Sequence, residues 1–292
     1  MRLARIMGIN IYVNVFFLGL LGLFFVAGVM GKGLIAFAVV FCHELAHAAV
    51  ARRLAVPVTD VELLPFGGVT RMGGEMILDP AKESYIAVAG PASNLLMAAA
   101  GLALKNHGLW HDELGPFFLQ CNLLIAAFNL LPALPLDGGR VYRAHLAAKI
   151  GIRDATYRAA ALGQVWAALV VLFGSFGLFF RFSGLDILFT GLFLFYAATR
   201  EKGAAPYLFV RHLTRKKGEL AKAGVLPAET FVVMENLTLG EIIRPFLPQR
   251  FHLVLVLDRQ LRYKGMLTEA QVIDGLLEHG FDLPVGKLPL KP

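Results

Sequence analysis

The chain has 292 residues, of which 57% are hydrophobic and only 17% are charged. A soluble domain carries about 25% charged residues, so the composition argues against an ordinary water-soluble protein. The formal net charge is +7, but no basic stripe interleaved with aromatic residues is present, and nucleic-acid binding is not expected. Cys42 and Cys121 both lie in apolar segments and predict neither a disulfide framework nor a cysteine metal clamp.

Six apolar segments are each close to the roughly 20 residues that a bilayer core requires. They lie at 9–30, 33–54, 84–104, 116–135, 159–180 and 184–199. The first is too long for the core of a signal peptide and is predicted to be a transmembrane helix. The predicted fold class is therefore an α-helical polytopic membrane protein with six transmembrane helices over residues 1–200, followed by a soluble tail.

Basic residues predict the orientation of these segments. With the N-terminus inside, the inside loops contain Arg2, Arg5, Arg52, Arg53, Arg71, Lys82, Arg140, Arg143, Lys149, Arg153 and Arg158, and the outside loops contain Lys32, Lys105 and Arg181. Because cytoplasmic loops are enriched in lysine and arginine, this bias predicts a multi-pass cell-membrane protein with both termini in the cytoplasm. The positive charge is then expected to contact anionic lipid of the inner leaflet.

The pentapeptide His43-Glu44-Leu45-Ala46-His47 lies inside the second apolar segment. On a helix, this HExxH pattern places two imidazoles on one face, one turn apart, with a glutamate beside them. That arrangement suits a zinc ion and a general base. An acidic residue at the centre of a membrane helix costs about 2.5–3.5 kcal/mol, and metal binding would offset such a cost.

A third ligand is predicted at Asp137, near the end of the fourth segment. Pro132 and Pro135 cannot both lie inside a regular helix, so the chain is expected to unwind there. Unwound backbone at membrane depth must be buried in protein or line a cavity. The second and fourth segments both run inward, and their motifs lie at similar depth. We therefore expect His43, His47 and Asp137 to be metal ligands, with Glu44 taking a proton from water.

These motifs resemble those of the site-2 protease family of intramembrane zinc metalloproteases. The resemblance rests on the pentapeptide, on Asn129-Leu-Leu-Pro-Ala-Leu-Pro-Leu-Asp-Gly138, and on Gly90-Pro-Ala-Ser-Asn94. It implies zinc bound by the two histidines and Asp137, Glu44 as catalytic base, and Asn94 and Asn129 lining the substrate cleft. An asparagine in a membrane span can also simply bond a neighbouring helix, and for Asn94 this alternative carries equal weight.

The segment 57–78 is β-rich, with a turn near Gly67-Gly68. It is predicted to form a re-entrant or interfacial hairpin whose edge pairs with an unwound substrate by strand addition. Phe66 and Gly67 in this hairpin, and Pro135 in the broken fourth segment, are therefore candidate substrate-binding residues. A cytoplasmic hairpin without a substrate role is the alternative.

The tail is predicted to consist of a basic linker, 201–223, and a small α/β domain, 224–292. Residues 253–258 and 263–267 indicate strands, and Thr268 is expected to cap a helix that runs to Leu277. This order resembles a cystathionine-beta-synthase (CBS) repeat, which implies an adenine nucleotide as a second ligand. Gln271 replaces the usual ribose-binding aspartate, so loss of nucleotide binding is an equal alternative. A single repeat of this kind implies a homo-oligomer formed through the tail.

The sequence thus predicts an intramembrane zinc endopeptidase that cleaves a membrane-associated protein near the cytoplasmic face. Within the CBS-containing branch, the chain is most similar to the stage IV sporulation proteases. That similarity implies a precursor of a sporulation sigma factor as substrate, regulatory membrane proteins as partners, and the membrane around the forespore as location. The rival hypotheses are a metal transporter with the same histidine and aspartate ligands, which would not need Glu44, and a metal-free scaffold with a nucleotide-sensing tail.

Overall fold

The computed structural model describes the chain except residues 1, 7, 8, 65, 66, 73–78, 109, 182, 183, 224, 226, 244, 247–249, 291 and 292. Most of the described residues are helical, and two small sheets lie at opposite ends of the sequence. The helices α2, α3 and α5, introduced below, position the residues of chemical interest.

The N-terminal sheet has four strands in the order β1-β2-β3-β4. Their bounds are Arg2–Ile6, Ile9–Val13, Val58–Leu64 and Gly67–Met72. Strand β2 runs parallel to β3, and the other two pairs are antiparallel. The Asn10 side chain donates a hydrogen bond to Asp60 Oδ1 at 3.1 Å, which links β2 to β3. The segment 57–78 therefore contains a hairpin, β3–β4, that is part of a larger sheet; its position relative to a membrane stays a prediction.

The first apolar segment is not one helix over 9–30, and that prediction was wrong. Helix α1 covers only Val15–Val26, which gives 12 residues, and Met30 already begins the next helix. The preceding alternation of β-branched and other residues extends as strand β2 because β3 provides a hydrogen-bonding partner. Asn14 then begins the helix, since its side chain accepts a hydrogen bond from the Phe16 amide at 3.0 Å.

Three described helices are long and apolar enough to cross a membrane: α2, Met30–Arg53; α3, Pro80–Asn106; and α6, Ile152–Phe179. Helix α1 and helix α4, Leu114–Asn129, are apolar but shorter. The number of six spans is therefore not established and remains a prediction. Two further helices are α5, Asp137–Ile150, and α7, Leu185–Ala223. Helix α7 has 39 residues and continues through the predicted linker 201–223 without a break.

The tail contains a three-stranded sheet in the order β5-β6-β7, with strands Ala228–Met234, Phe251–Leu257 and Tyr263–Thr268. Helix α8, Leu239–Ile242, and helix α9, Glu269–His279, complete it. Thr268 caps α9 as predicted: its hydroxyl accepts from the Gln271 amide, and Gln271 Oε1 accepts from the Thr268 amide at 2.9 Å. The small C-terminal sheet was predicted, whereas its identity as a CBS domain is not established.

The tail does not stand apart from the helices that precede it. Ala147, Ile152 and Ala155, at the corner between α5 and α6, belong to the same buried cluster as the apolar side chains of the tail. Leu146 and Ile150 pack against this cluster from α5. The helix that begins at Asp137 thus ends in contact with the core of the tail.

Candidate metal centre

Three ligand atoms from two helices meet at one point in the protein. His43 and His47 lie on α2, and Asp137 is the first residue of α5; all three side chains are buried. His43 Nε2 lies 3.1 Å from His47 Nε2, and Asp137 Oδ2 lies 3.2 Å from each of these nitrogens. The three atoms therefore form a nearly equilateral triangle.

The size of this triangle fits a tetrahedral zinc site. Zinc binds imidazole nitrogen and carboxylate oxygen at about 2.0–2.1 Å, which places neighbouring ligand atoms of a tetrahedron about 3.3–3.4 Å apart. The observed separations of 3.1–3.2 Å are close to that value. Among the described residues, these three are the group of histidine, cysteine, aspartate and glutamate side chains that could hold a metal ion.

The other ring nitrogen of each histidine shows why a cation is needed here. His47 Nδ1 lies 2.7 Å from the Ile86 carbonyl oxygen, and His43 Nδ1 lies 2.5 Å from Asn94 Oδ1. Both oxygens can only accept a hydrogen bond, so both Nδ1 atoms carry the proton. In the neutral rings, each Nε2 then directs a lone pair toward the other and toward the Asp137 carboxylate. Three converging acceptors repel one another unless a metal ion or a proton lies among them.

One stripe of α3 supports both histidines. Ile86, Gly90 and Asn94 are spaced four residues apart, so they lie on one face of the helix. Ile86 and Asn94 provide the two hydrogen-bond acceptors, and Gly90 lies between them. A Cβ atom at Gly90 would lie 2.6 Å from His43 Nε2, which is closer than real contacts allow. The glycine is therefore required for the imidazoles to pack directly against α3.

Asp137 reaches the histidines because the fourth apolar segment unwinds, as predicted. Helix α4 ends at Asn129, and α5 begins at Asp137 after a non-helical stretch. Cβ atoms at Gly138 or Gly139 would collide with the backbone of this stretch, so the two glycines permit its close approach. Arg140 is one turn further along, with a guanidinium nitrogen 3.9 Å from Asp137 Oδ1.

The remaining residues with predicted roles have diverse surroundings. Glu44 is half-buried and directly follows His43 on α2. Asn129 is also half-buried, and its side chain donates to the Ile125 carbonyl at 3.0 Å within its own helix. Pro135 is half-buried in the unwound stretch, whereas Gly67 is the first residue of β4. Phe66 lies outside the described residues.

Asn94 contacts the metal-ligand candidate His43, and its second partner was not anticipated from the sequence. The Asn94 amide nitrogen donates to Asn122 Oδ1 at 3.0 Å, and the Asn122 amide donates to the Phe118 carbonyl at 2.9 Å. Asn94 and Asn122 are both fully buried. Asn122 could have been noticed as a polar side chain inside an apolar segment. The Ile86 carbonyl could not, because every residue has one.

The fold and this centre together define a membrane-embedded protein with the ligand set of the HExxH metalloproteases. Residues 33–110 match peptidase family M50. A protein of Mycobacterium tuberculosis named as a zinc metalloprotease is 34% identical over 260 residues, which cover 84% of this chain and 63% of that protein. A zinc metalloprotease of Methanocaldococcus jannaschii is 30% identical over 210 residues, which cover 68% of this chain and 60% of that protein.

Two further matches connect the chain with site-2 proteases. Stage IV sporulation protein FB of Bacillus subtilis is 34% identical over 140 residues, 48% of each chain. The solved structure of the site-2 protease from Methanocaldococcus jannaschii aligns with a TM-score of 0.55 and 28% identity, covering 69% of this chain and 94% of that one. The chain belongs to peptidase family M50, the site-2 protease family, as its motifs predicted. It spans about 60% of the length of the first two relatives.

Proposed function

We propose that this protein is an intramembrane zinc endopeptidase that cleaves a membrane-associated protein near the cytoplasmic face. The observation that carries the proposal is the triangle formed by His43 Nε2, His47 Nε2 and Asp137 Oδ2, with sides of 3.1–3.2 Å. Three protein ligands leave the fourth corner of a tetrahedron for water or substrate, which is the pattern of catalytic zinc sites and not of closed structural ones. The names of the relatives favour a protease over a metal transporter.

The residues around the triangle divide the chemistry among them. Bound zinc supplies a Lewis acid that lowers the pKa of water toward about 7 and polarises a carbonyl. Glu44 accepts the proton of the attacking water and returns it to the nitrogen of the leaving amine. The Ile86 carbonyl and the Asn94 side chain hold the two imidazoles in the Nδ1-protonated form, so that Nε2 faces the metal.

The substrate proposed is a precursor of a sporulation sigma factor held at the membrane around the forespore. The similarity to stage IV sporulation protein FB supports this, over 48% of each chain. Regulatory membrane proteins that hold the protease inactive are proposed as partners on the same basis. Residues that would bind the substrate are Asn94, Asn129, Pro135, Phe66 and Gly67. The antiparallel pairing of the β3–β4 hairpin supports strand addition there.

The organisation proposed is a six-span protein with both termini in the cytoplasm and a CBS-type tail that forms a homo-oligomer. The outer face of the tail sheet supports self-association. Val232, Leu255 and Met266 lie side by side across its three strands, and Val232 is 61% exposed. For an adenine nucleotide, binding and loss of binding are equal alternatives. Gln271 replaces the usual aspartate, and its side chain already accepts hydrogen bonds from Thr268 in the helix cap.

The proposal is tested by metal analysis and cleavage in one series of purified full-length variants. The series consists of wild type, Glu44→Gln and Asp137→Asn, each co-expressed with a membrane-tethered sigma-factor precursor. We expect one zinc per wild-type chain and cleavage of the precursor. Glu44→Gln should retain zinc and lose cleavage, and Asp137→Asn should lose both. Cleavage that survives Glu44→Gln would contradict the protease mechanism.

If the wild-type protein binds zinc but leaves the precursor intact, the sigma-factor substrate is rejected and the proposed metal site is retained. A panel of other membrane-tethered peptides would then be compared between wild type and Glu44→Gln. Cleavage of none of them would favour the transporter hypothesis, which zinc flux into proteoliposomes measures directly.

A further inference from the structure

A buried ion pair links α3 to α5 on the interface that also holds the metal centre. Arg143, on α5, is 4% exposed, and Glu83, on α3, is fully buried. Arg143 Nε donates to Glu83 Oε1 at 3.1 Å, and a second guanidinium nitrogen donates to the same oxygen. The third nitrogen lies 3.8 Å from a carboxylate oxygen of Glu201 on α7. One guanidinium therefore contacts two other helices.

The ion pair lies at a fixed distance from the metal centre along both helices. Arg143 is six residues after Asp137, and Glu83 is seven residues before Gly90, which packs against the histidines. At 1.5 Å per residue, these separations are about 9 and about 10.5 Å. The ion pair therefore lies nearly two turns from the metal centre along both helices. At the metal centre α3 and α5 both contact the histidines of α2, and at the ion pair they contact each other directly.

The buried side chains at and next to these two points are mostly small and offer little resistance to sliding. They include Gly139, Ala144 and Ala147 on α5 and Ala87 and Gly90 on α3. The large buried side chain of α3 in this region, Ile86, packs in a cluster with Ala51 and Val56. Small residues allow helices to approach closely but provide few projections that interlock. A directional contact is therefore needed to fix the axial position and rotation of α5 relative to α3.

We propose that Arg143 is a positioning residue for the metal centre. Its paired donors to Glu83 hold α5 in the register at which Asp137 Oδ2 lies 3.2 Å from both histidine nitrogens. The guanidinium suits this task because its donors have a fixed planar geometry, which a lysine ammonium lacks. The inference rests on the proposed function, since it assigns Arg143 to the zinc site described there.

The alternative is that the pair only stabilises the fold. Buried ion pairs are weak contributors to stability, because removing two charges from water costs about as much as their attraction returns. Here Glu83 Oε2 has no hydrogen-bond partner in the described part of the chain, so the pair is not fully satisfied. An ion pair with an unpartnered buried oxygen contributes little to stability. Its directional hydrogen bonds still fix the position of α5 relative to α3.

Zinc affinity in folded protein separates the two roles. The variants are Arg143→Met, Arg143→Lys and the double variant Glu83→Gln/Arg143→Met, with Lys149→Met as the control because Lys149 is exposed on the same helix. Each full-length chain is purified in lipid nanodiscs, its thermal midpoint is measured, and its zinc dissociation constant is obtained by competition with a chelator. The visible spectrum of the cobalt-loaded protein reports the geometry of the ligands.

We expect Arg143→Met to bind zinc about 10–100-fold more weakly, the range typical of residues that orient metal ligands. Arg143→Lys should fall between it and wild type, and Lys149→Met should equal wild type. The double variant is decisive, because it removes the buried charge that Arg143→Met leaves behind. Its thermal midpoint should recover toward wild type, whereas its zinc affinity should stay low and its cobalt spectrum altered.

Recovery of the zinc affinity together with the thermal midpoint would overturn the proposal, since a purely structural role predicts that both return. Wild-type affinity in folded Arg143→Met would overturn it equally. If wild type itself binds no stoichiometric zinc, the proposed function fails, and this inference fails with it. If wild type binds zinc and cleaves its substrate while all variants bind equally, only the role of Arg143 is rejected.

Discussion

The metal centre and the tail both contain a buried histidine next to a buried carboxylate. They differ in whether the histidine nitrogen faces a complementary hydrogen-bonding atom or another acceptor. In the tail, Glu269 Oε2 accepts from both the backbone amide and Nδ1 of His252, at 2.9 and 2.8 Å. Each of these two contacts pairs a donor with an acceptor, and the His252 ring stacks on Phe246 with centroids 4.3 Å apart. In the metal centre, by contrast, His43, His47 and Asp137 present three acceptors to one another.

A structural histidine can therefore be distinguished from a metal ligand by the partners of its two ring nitrogens. A buried imidazole whose neighbours complement its donor and acceptor atoms contributes to packing and needs nothing else. An imidazole whose Nδ1 donates to a carbonyl, and whose Nε2 faces another lone pair, has the arrangement of a metal ligand and is stabilised by a metal ion or a proton at Nε2. The comparison predicts that changes around the metal centre alter metal affinity, whereas changes in the tail alter stability alone.

The largest effect on zinc affinity is expected for Gly90→Ala. The added methyl group would occupy the space of the imidazole rings of His43 and His47 and would displace the ligands themselves. We expect zinc affinity to fall by at least about 100-fold, the upper end for changes next to a metal site. Gly101→Ala is the matched control. Gly101 lies on the same helix but away from the site, and its Cβ would lie 3.1–3.3 Å from side-chain atoms of Phe118 and Leu119. Stoichiometric zinc in purified Gly90→Ala would contradict the packing of α3 on the histidines.

Asn94→Ala and Asn122→Ala should weaken zinc binding by smaller amounts. Asn94 Oδ1 accepts a hydrogen bond from His43 Nδ1, so its loss should cost about 10–100-fold in zinc affinity. Asn122 only orients Asn94 and should cost less. Chelator competition measures both values, and the double variant should resemble Asn94→Ala because the two side chains act in series. Additive losses would indicate that Asn122 acts on the site independently.

In the tail, Glu269→Ala should lower stability without changing zinc affinity. It leaves the His252 amide and ring nitrogen without their acceptor in a buried position, which costs about 1–3 kcal/mol. Faster hydrogen exchange of the β6 amides in the full-length protein is the measurement. The control is Glu278→Ala on the same helix, since the Glu278 side chain is 72% exposed. A loss of zinc in Glu269→Ala would erase the distinction between the two regions.

A smaller loss is expected for Thr268→Ala, which removes the side-chain cap of α9. N-cap replacements of this kind cost about 0.5–2 kcal/mol. The expected result is faster exchange of the first-turn amides of α9, with no effect on cleavage. Gln271→Ala should have a weaker effect, because it leaves the Thr268 hydroxyl in place. If the first-turn amides of α9 exchange as slowly in Thr268→Ala as in wild type, the capping box does not stabilise this helix.

The smallest expected effect concerns the turn at Asp258, a half-buried residue that is followed by the exposed residues 259–262. The backbone amide of Arg262 and, to a lesser degree, its guanidinium donate to this carboxylate and lower the pKa of Asp258 below the ordinary value. Because the pKa is lower in the folded state, the contribution of the turn is present above the ordinary aspartate pKa and is lost as the pH falls through the lowered one. Carboxyl NMR titration should show this shift, and Arg262→Met should reduce it. An identical titration curve in that variant would exclude the guanidinium as a cause.

Much of the metal centre was predictable because its chemistry depends on residue type and spacing. The HExxH spacing identifies His43 and His47, and Pro132 and Pro135 indicate where the chain unwinds to present Asp137. The contact between Asn94 and His43 was not predictable, since an asparagine in an apolar helix has many possible partners. The acceptor at Ile86 is a backbone group and leaves no mark on the sequence.

The fold was predictable where a hydrophobic pattern is compatible with only one kind of secondary structure. Helices α2 and α3 lie within a few residues of their predicted bounds because long apolar segments form helices in either a membrane or a protein core. Residues 9–30 were mispredicted because strand β2 and helix α1 are both apolar, and only the distant strand β3 decides where one ends. The continuity of α7 was missed because a change from apolar to basic residues was taken as a boundary, although both compositions form helix.

We propose that His43, His47 and Asp137 hold one zinc ion. X-ray absorption spectroscopy of the purified zinc-loaded chain, with Asp137→Asn for comparison, reports the ligands of that ion. We expect one zinc per wild-type chain with two imidazole ligands and oxygen ligands at about 2.0–2.2 Å, and loss of that site in the variant. A zinc shell containing sulfur, or an unchanged shell in Asp137→Asn, would contradict it.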